Sequence, residues 1–138
     1  MFPRLWDFEG SWRLTRDISH ADGATAQFAG RAEFLRDGPG LIYREQGMLT
    51  LGTGDAMRAE RTYLWRKGTN GGLDVRFDDD RPFHQITQNA ETAQHWCDPD
   101  TYDVAYGFTD WPNWDSTWLV KGPRKAYCMT SRYHRYTS

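Results

Sequence analysis

The stretch Phe8-Glu9-Gly10-Ser11-Trp12 decides the fold, because it opens the first patterned run of the chain. Gly10 permits a backbone bend and the close approach of another segment. Trp12, two residues later, brings the large apolar area that can seal one end of a small β-barrel. We therefore predict that Gly10 and Trp12 form the floor of a barrel, around which the later strands wrap.

The composition is typical of an all-β protein. The 138 residues suffice for one domain, 1–138, with a buried core. An aromatic content of 15% and 13 glycines favour many short strands separated by turns. The net charge of −2 comes from interspersed acids and bases without a basic run, so nucleic acid is not an expected partner.

Membrane insertion and secretion are not expected either. No apolar run approaches the ~20 residues that a membrane-spanning helix needs. The first residues lack both the apolar segment and the small-residue cleavage site of a signal peptide, so we expect a cytoplasmic protein. In that compartment Cys97 and Cys128 are expected to be reduced.

Alternating apolar and polar residues predict about ten antiparallel strands after a short helical turn within residues 2–9. The first strand, 11–18, places Trp12, Leu14 and Ile18 on one face. The later runs are joined mostly by short turns, which favours a single up-and-down β-barrel around a small cavity.

The segments 41–51 and 55–67 flank Gly52-Thr53-Gly54, which predicts a hairpin. Its register sets Tyr43 against Tyr63 and Glu45 against Arg61 on the inner face, because a one-residue slip would expose the apolar side chains. The sequence thus predicts a buried ion pair between Glu45 and Arg61. It either ties the strands together or offers Arg61 as an anchor for a ligand carboxylate or phosphate.

Two histidines are candidate site residues. If strands at 83–88 and 91–97 are joined by a tight turn at Asn89-Ala90, His84 lies directly opposite His95. If Cys97 also pairs with Tyr102 on the next strand, both histidines face the lumen. The pair then has two candidate roles, as catalytic acid and base or as hydrogen-bonding groups for a ligand.

Metal binding is a further alternative at this place. His84, His95 and Cys97 together could hold zinc or another divalent ion, although their spacing matches no dedicated zinc motif. Each histidine could equally hydrogen-bond a backbone carbonyl or a tyrosine hydroxyl. No cofactor is assigned from the sequence.

Tyrosines on the proposed inner faces give the lumen apolar walls with polar tips, which suit an amphipathic small molecule. The predicted ligand-binding residues are Tyr43, Glu45, Arg61, Tyr63, His84, His95, Tyr102 and Tyr106.

With Phe8-x-Gly10-x-Trp12 and the succession of hairpins, the chain resembles the calycins, the superfamily of lipocalins and fatty-acid-binding proteins. The resemblance implies that a late arginine packs over Trp12. Arg132 and Arg135 match that position, and we assign Arg132 to the barrel floor together with Gly10.

The stretches 81–84 and 95–102 resemble those of small uncharacterised bacterial lipocalin-like domains, a family without an assigned activity. The resemblance therefore implies a barrel with a pocket and names no substrate.

We predict that the protein binds a small polar or amphipathic molecule in its lumen. Three alternatives stay open. The first is an isomerase-, cyclase- or decarboxylase-type enzyme that uses His84 or His95. The second is haem or metal binding through a lumen histidine. The third is a protein-interaction module that uses the loop from Trp111 to Trp114, and a homodimer is also left open.

Overall fold

The computed structural model describes residues 2–88 and 91–136. A 3₁₀ turn at Leu5–Phe8 precedes the first strand, and a second one, Thr69–Gly71, joins the fourth strand to the fifth. The ten strands are β1 (Gly10–His20), β2 (Thr25–Asp37), β3 (Gly40–Leu51), β4 (Ala56–Lys67), β5 (Leu73–Phe77), β6 (Pro82–Ile86), β7 (Thr92–Cys97), β8 (Asp100–Gly107), β9 (Trp114–Lys121) and β10 (Ala126–Arg135).

The strands form one antiparallel sheet in the order β6-β5-β4-β3-β2-β1-β10-β9-β8-β7. Apart from β6 and β7, strands that follow each other in the chain pair with each other, and β1 pairs with β10, so the sheet curls into an up-and-down barrel. Within residues 2–88 and 91–136, β6 and β7 share no backbone ladder, which leaves the barrel nearly closed. The predicted all-β barrel of about ten strands is confirmed.

The predicted register of the β3–β4 hairpin is also confirmed. Tyr43 lies opposite Tyr63, and Glu45 lies opposite Arg61. Period-two alternation and a short turn are enough to fix such a register, because each constrains which residues face the core.

The barrel floor is built from the quoted N-terminal stretch and the end of β10. Trp12 is fully buried and donates its indole N–H to the carbonyl of Phe8 at 2.9 Å. The guanidinium carbon of Arg135 lies 4.1 Å from the centre of a Trp12 ring, and its Nη1 donates to the carbonyl of Glu9 at 2.7 Å. Gly10 has φ +120°, and a Cβ there would lie 2.8 Å from Arg135 Nη1, so a side chain would strain the backbone and displace the guanidinium of Arg135.

The assignment of Arg132 to the floor is wrong. Arg132 is exposed and pairs with the exposed Asp17 at 2.9 Å on the outer surface. Because side chains alternate along β10, Arg135 and Arg132 lie on opposite faces of the sheet, and only Arg135 can reach Trp12.

The two arginines form a matched pair for a stability test. We expect Arg135→Gln to lower the free energy of unfolding by about 2 kcal/mol, because it removes a cation over an indole and charge-assisted bonds to backbone carbonyls. Arg132→Gln should change it by less than about 1 kcal/mol, since exposed ion pairs contribute little. Urea unfolding followed by tryptophan fluorescence compares them, and equal losses would contradict the floor assignment.

The loop from Trp111 to Trp114 covers the floor and is not a free partner surface. Trp111 packs against Phe8 and Trp12 at ring-centre distances of 5.0 and 5.7 Å. Trp114 is buried and stacks on Tyr133 at 3.8 Å. Both rings are used in core packing, so the structure does not favour the interaction-module hypothesis based on this loop, which stays a prediction.

A β-bulge explains the position of Phe83. Val75 pairs with His84, but Arg76 pairs with Pro82, so β6 carries one extra residue at Phe83. Such an insertion interrupts the alternation of faces. Phe83 and His84 are consequently both buried although they are adjacent in the sequence.

Candidate functional site

A buried polar cluster lies in the lumen. Arg16 forms a two-pronged ion pair with Glu45, Nη1 to Oε2 at 2.6 Å and Nη2 to Oε1 at 2.9 Å. Arg16 Nε donates to Ser131 at 2.6 Å. The hydroxyl of Tyr43 donates to Glu45 Oε1 at 2.5 Å and lies 2.8 Å from the hydroxyl of Tyr133.

This cluster can form because the side chains of β2 are small at this height of the barrel. Arg16 lies on β1 and Glu45 on β3, the two neighbours of β2. Between them β2 presents Gly30 and Ala32 on its lumen-facing side, which lets the two long side chains meet across it. Phe28 lies under the guanidinium of Arg16, with 5.2 Å from Cζ to the ring centre.

The predicted ion pair between Glu45 and Arg61 is wrong, because Glu45 pairs with Arg16 instead. The two residues are opposite in register, but Glu45 uses its carboxylate oxygens for Arg16 and Tyr43. Within the described part of the chain Arg61 forms no ion pair with a carboxylate. Arg61 is exposed yet lines the lumen cavity, so its cation is available at the edge of that space.

Burial and pairing together fix the charges of the cluster. Burial alone would raise the pKa of Glu45, but the hydrogen bonds and charge of Arg16 outweigh it, so the pKa lies below its ordinary value. Burial raises the pKa of Tyr43, Tyr63 and Tyr106, and that of Tyr133 to about 12. At neutral pH the carboxylate is therefore ionised and the phenols are not.

The lumen cavity is small because aromatic rings fill most of the barrel. Its volume is about 20 Å³, which is room for about one water molecule. It is lined by Arg16, Tyr43, Glu45, Arg61, Tyr63, Trp65, Val75, Tyr106, Trp114, Ser116, Trp118 and Tyr133. Five of the predicted ligand-binding residues thus line one space: Tyr43, Glu45, Arg61, Tyr63 and Tyr106.

The remaining three predicted residues lie beside the gap between β6 and β7. His84 is buried, and its Nε2 lies 2.9 Å from the hydroxyl of Tyr106. His95 lies opposite Tyr102 on β8, and both rings contact Phe83 at 5.4 Å. Neither His95 nor Tyr102 is among the residues that line the cavity.

The predicted pairing of His84 with His95 across a hairpin is wrong. The strands that carry them have no shared ladder in the described residues, and the turn proposed at Asn89-Ala90 lies outside those residues. The physical reason is that β6 and β7 are the two edge strands of the sheet. Among the described residues β6 pairs only with β5, and β7 pairs only with β8.

The proposed metal group is not assembled either. Among residues 2–88 and 91–136, no three His, Cys, Asp or Glu side chains are placed to hold a metal ion. Cys97 pairs in register with Asp100, and both it and Cys128 are free thiols. A haem bound through His84 would also need far more room than the cavity provides.

Acid–base chemistry is not favoured by the state of the histidines. Burial and the nearby His95 lower the pKa of His84 from 6.5 to about 3. Burial and the charge of Arg81 lower the pKa of His95 as well. A general acid or base works best with a pKa near the operating pH, and neither ring has been moved toward that condition.

A protein-family model matches residues 8–135, and its description is a family of unknown function, DUF6314. The chain belongs to the DUF6314 family. No curated protein matches its sequence. Among solved structures, this DUF6314 member is similar to the S-type phycobiliprotein lyase CPES from Guillardia theta. The TM-score is 0.65 at 12% identity, over 99% of this chain and 94% of that chain, so the likeness shows the shared barrel fold alone.

The part of this DUF6314 chain that the structure describes contains no helix with the length and apolar character required to cross a membrane.

The sequence reasoning missed several lumen residues of this DUF6314 protein. Arg16 falls on the same face of β1 as Leu14 and Ile18 by simple alternation, so the pattern contained the signal. A charge between apolar positions was passed over because its partner is not on an adjacent strand. The other missed residues come from the last two strands: Trp114, Ser116, Trp118, Ser131 and Tyr133.

Proposed function

We propose that the protein binds a small amphipathic anion, with the polar head of the ligand beside Arg61 at the edge of the lumen cavity. The observation that carries the proposal is the cation of Arg61, which forms no ion pair with a carboxylate of the described residues and lies at the edge of an otherwise neutralised, aromatic-walled cavity. We also propose that the protein is cytoplasmic and of bacterial origin.

The balance of charge favours an anion. Arg16 and Glu45 neutralise each other, and the surrounding tyrosines and His84 are uncharged at neutral pH. Arg61 is then left as an excess positive charge among the lining residues. A guanidinium presents paired N–H donors that match a carboxylate or phosphate, so an anionic head is the complementary group.

The hydrogen-bonding groups of the lining point to the same ligand. The indole N–H groups of Trp114 and Trp118 are buried and have no acceptor among the described residues. An indole can only donate, and an unsatisfied buried donor is costly. Both oxygens of Glu45 are occupied. The lining therefore has two spare indole donors, which fits a head group rich in oxygen acceptors.

The test compares two fluorescent probes with the same aromatic body, anilinonaphthalene sulfonate and its uncharged analogue N-phenylnaphthylamine. We expect the sulfonate to bind more tightly than the neutral probe. Arg61→Gln should weaken sulfonate binding about tenfold, because a charge-assisted contact contributes about 1.5 to 3 kcal/mol. Binding of the neutral probe should not change.

The matched control is Arg58→Gln. Arg58 lies three residues away on the same strand, on the outer face opposite Met48, and is exposed. We expect it to leave both affinities unchanged, since it removes the same charge from the wrong side of the sheet. Equal sulfonate affinity in the native protein and in Arg61→Gln would remove Arg61 from the site.

A further inference from the structure

The barrel wall is low on one side. β4 has 12 residues, whereas β5 and β6 have five each. β5 pairs with β4 from Tyr63 to Lys67, so in the described residues the segment 56–62 has no neighbour on that side. We call this place the rim notch; it is bounded by 56–62 and by the 78–81 turn, with Phe77, Phe83 and His95 at its bottom.

Ion pairs hold the 78–81 turn away from the lumen. Asp80 lies 2.8 Å from Arg66 Nη1 and 3.6 Å from Arg76 Nη1. Arg66 and Arg76 alternate with the lumen-facing Trp65 and Val75, so they lie on the outer face of the sheet. The turn is therefore attached at Asp80 to the outer face of the wall, while its last residue, Arg81, reaches the ring of Phe77.

The bottom of the notch is a flat aromatic surface. Phe77 and Phe83 stack with ring centres 4.6 Å apart and planes 11° apart. The guanidinium carbon of Arg81 lies 5.1 Å from the centre of the Phe77 ring. Phe83 is buried, but Phe77 is partly exposed.

The notch adjoins the lumen cavity at Tyr63. Phe77 lies opposite Tyr63 on the lumen-facing side, and their ring centres are 6.4 Å apart. Tyr63 lines the cavity, as does Arg61 two positions earlier on the same face of β4. The cavity itself has room for about one water molecule, so the body of a ligand whose head group contacts Arg61 must lie outside it.

We infer that the non-polar body of the ligand lies in the rim notch against Phe77, and that the ligand is a flat aromatic anion. This inference rests on the proposed function, because it takes Arg61 as the anchor of the head group. A planar ring against the exposed part of Phe77 gains apolar burial and an edge-to-face aromatic contact, and the cation of Arg81 lies at the same surface.

The experiment uses the same two probes on the full chain. Phe77→Ala should weaken binding of the sulfonate and of the neutral probe alike, about tenfold, because it removes the surface that both aromatic bodies share. Phe77→Leu keeps apolar volume and should weaken both about threefold. Leu51→Ala at the exposed end of β3 is the control and should change neither affinity. Circular dichroism verifies that each variant is folded. If Phe77→Ala does not fold, the affinities of Phe77→Leu decide the test.

The outcomes separate the two ideas. Losses at Phe77 but not at Leu51 support the rim notch. Losses at Leu51 alone place the body at the end of the barrel and overturn the inference, as does unchanged binding in all three variants. If the native protein binds neither probe, the proposed function itself fails.

Discussion

Glu45→Ala should lower the free energy of unfolding by about 3 to 5 kcal/mol, the largest effect we expect from one substitution in this protein. The change leaves Arg16 buried with an unpaired charge, since its only ion-pair partner in the described residues is Glu45. Tyr43 also loses the carboxylate that accepts from its hydroxyl and keeps only the hydroxyl of Tyr133 as a hydrogen-bonding partner among the described residues. Urea unfolding followed by far-ultraviolet circular dichroism measures the loss, and the melting temperature should fall by about 10 °C or more.

Two further variants show whether the loss comes from the buried charge. Glu60→Ala removes an exposed carboxylate from the outer face of β4 and should change stability by less than about 0.5 kcal/mol. Arg16→Met combined with Glu45→Leu replaces the whole pair by apolar groups and should recover most of the stability lost in Glu45→Ala. A double variant less stable than Glu45→Ala would show that the pair itself, and not the orphaned charge, dominates.

The contrast between the β3–β4 hairpin and the Arg16–Glu45 pair shows what the sequence could predict. The register of Tyr43 with Tyr63 follows from alternation and a short turn, both of which are local. The partner of Glu45 depends on a contact across an intervening strand, which exists only after the sheet has curled. Adjacent strands offered Arg61, and nothing local favoured Arg16 over it.

The prediction that His84 and His95 face each other was wrong for a related reason. His84 was predicted to face the lumen from an unbroken strand, whereas a bulge at Phe83 sets which way it points. The hairpin that would have paired it with His95 requires β6 and β7 to be neighbours in the ladder, and the barrel places its unpaired edges there. Bulges and the closing position of a barrel are decided by the packing of the whole sheet, so a single run of residues does not reveal them.

The free energy of unfolding should fall between pH 7 and pH 5, and His84 should account for about 2 kcal/mol of the loss. The pKa of His84 is about 3 in the folded protein and 6.5 as an ordinary value, because the ring is buried beside His95. Below pH 6.5 the imidazole is therefore protonated in the unfolded chain but not in the folded protein. The free energy of unfolding falls by about 1.4 kcal/mol for each pH unit down to about pH 3. The low pKa of Glu45 works in the same direction, but only below its ordinary value of 4.5.

His84→Gln isolates this contribution, because an amide can still hydrogen-bond Tyr106 but does not titrate. Urea unfolding at pH 7 and pH 5 should show a stability difference smaller by about 2 kcal/mol in the variant than in the native protein. A smaller dependence of the free energy of unfolding on pH should persist in the variant, since burial and Arg81 also lower the pKa of His95. His134→Gln, at an exposed position on β10, is the control and should keep the full native difference. If His84→Gln also keeps it, His84 is not the buried neutral ring that its contacts with Phe83 and Tyr106 describe.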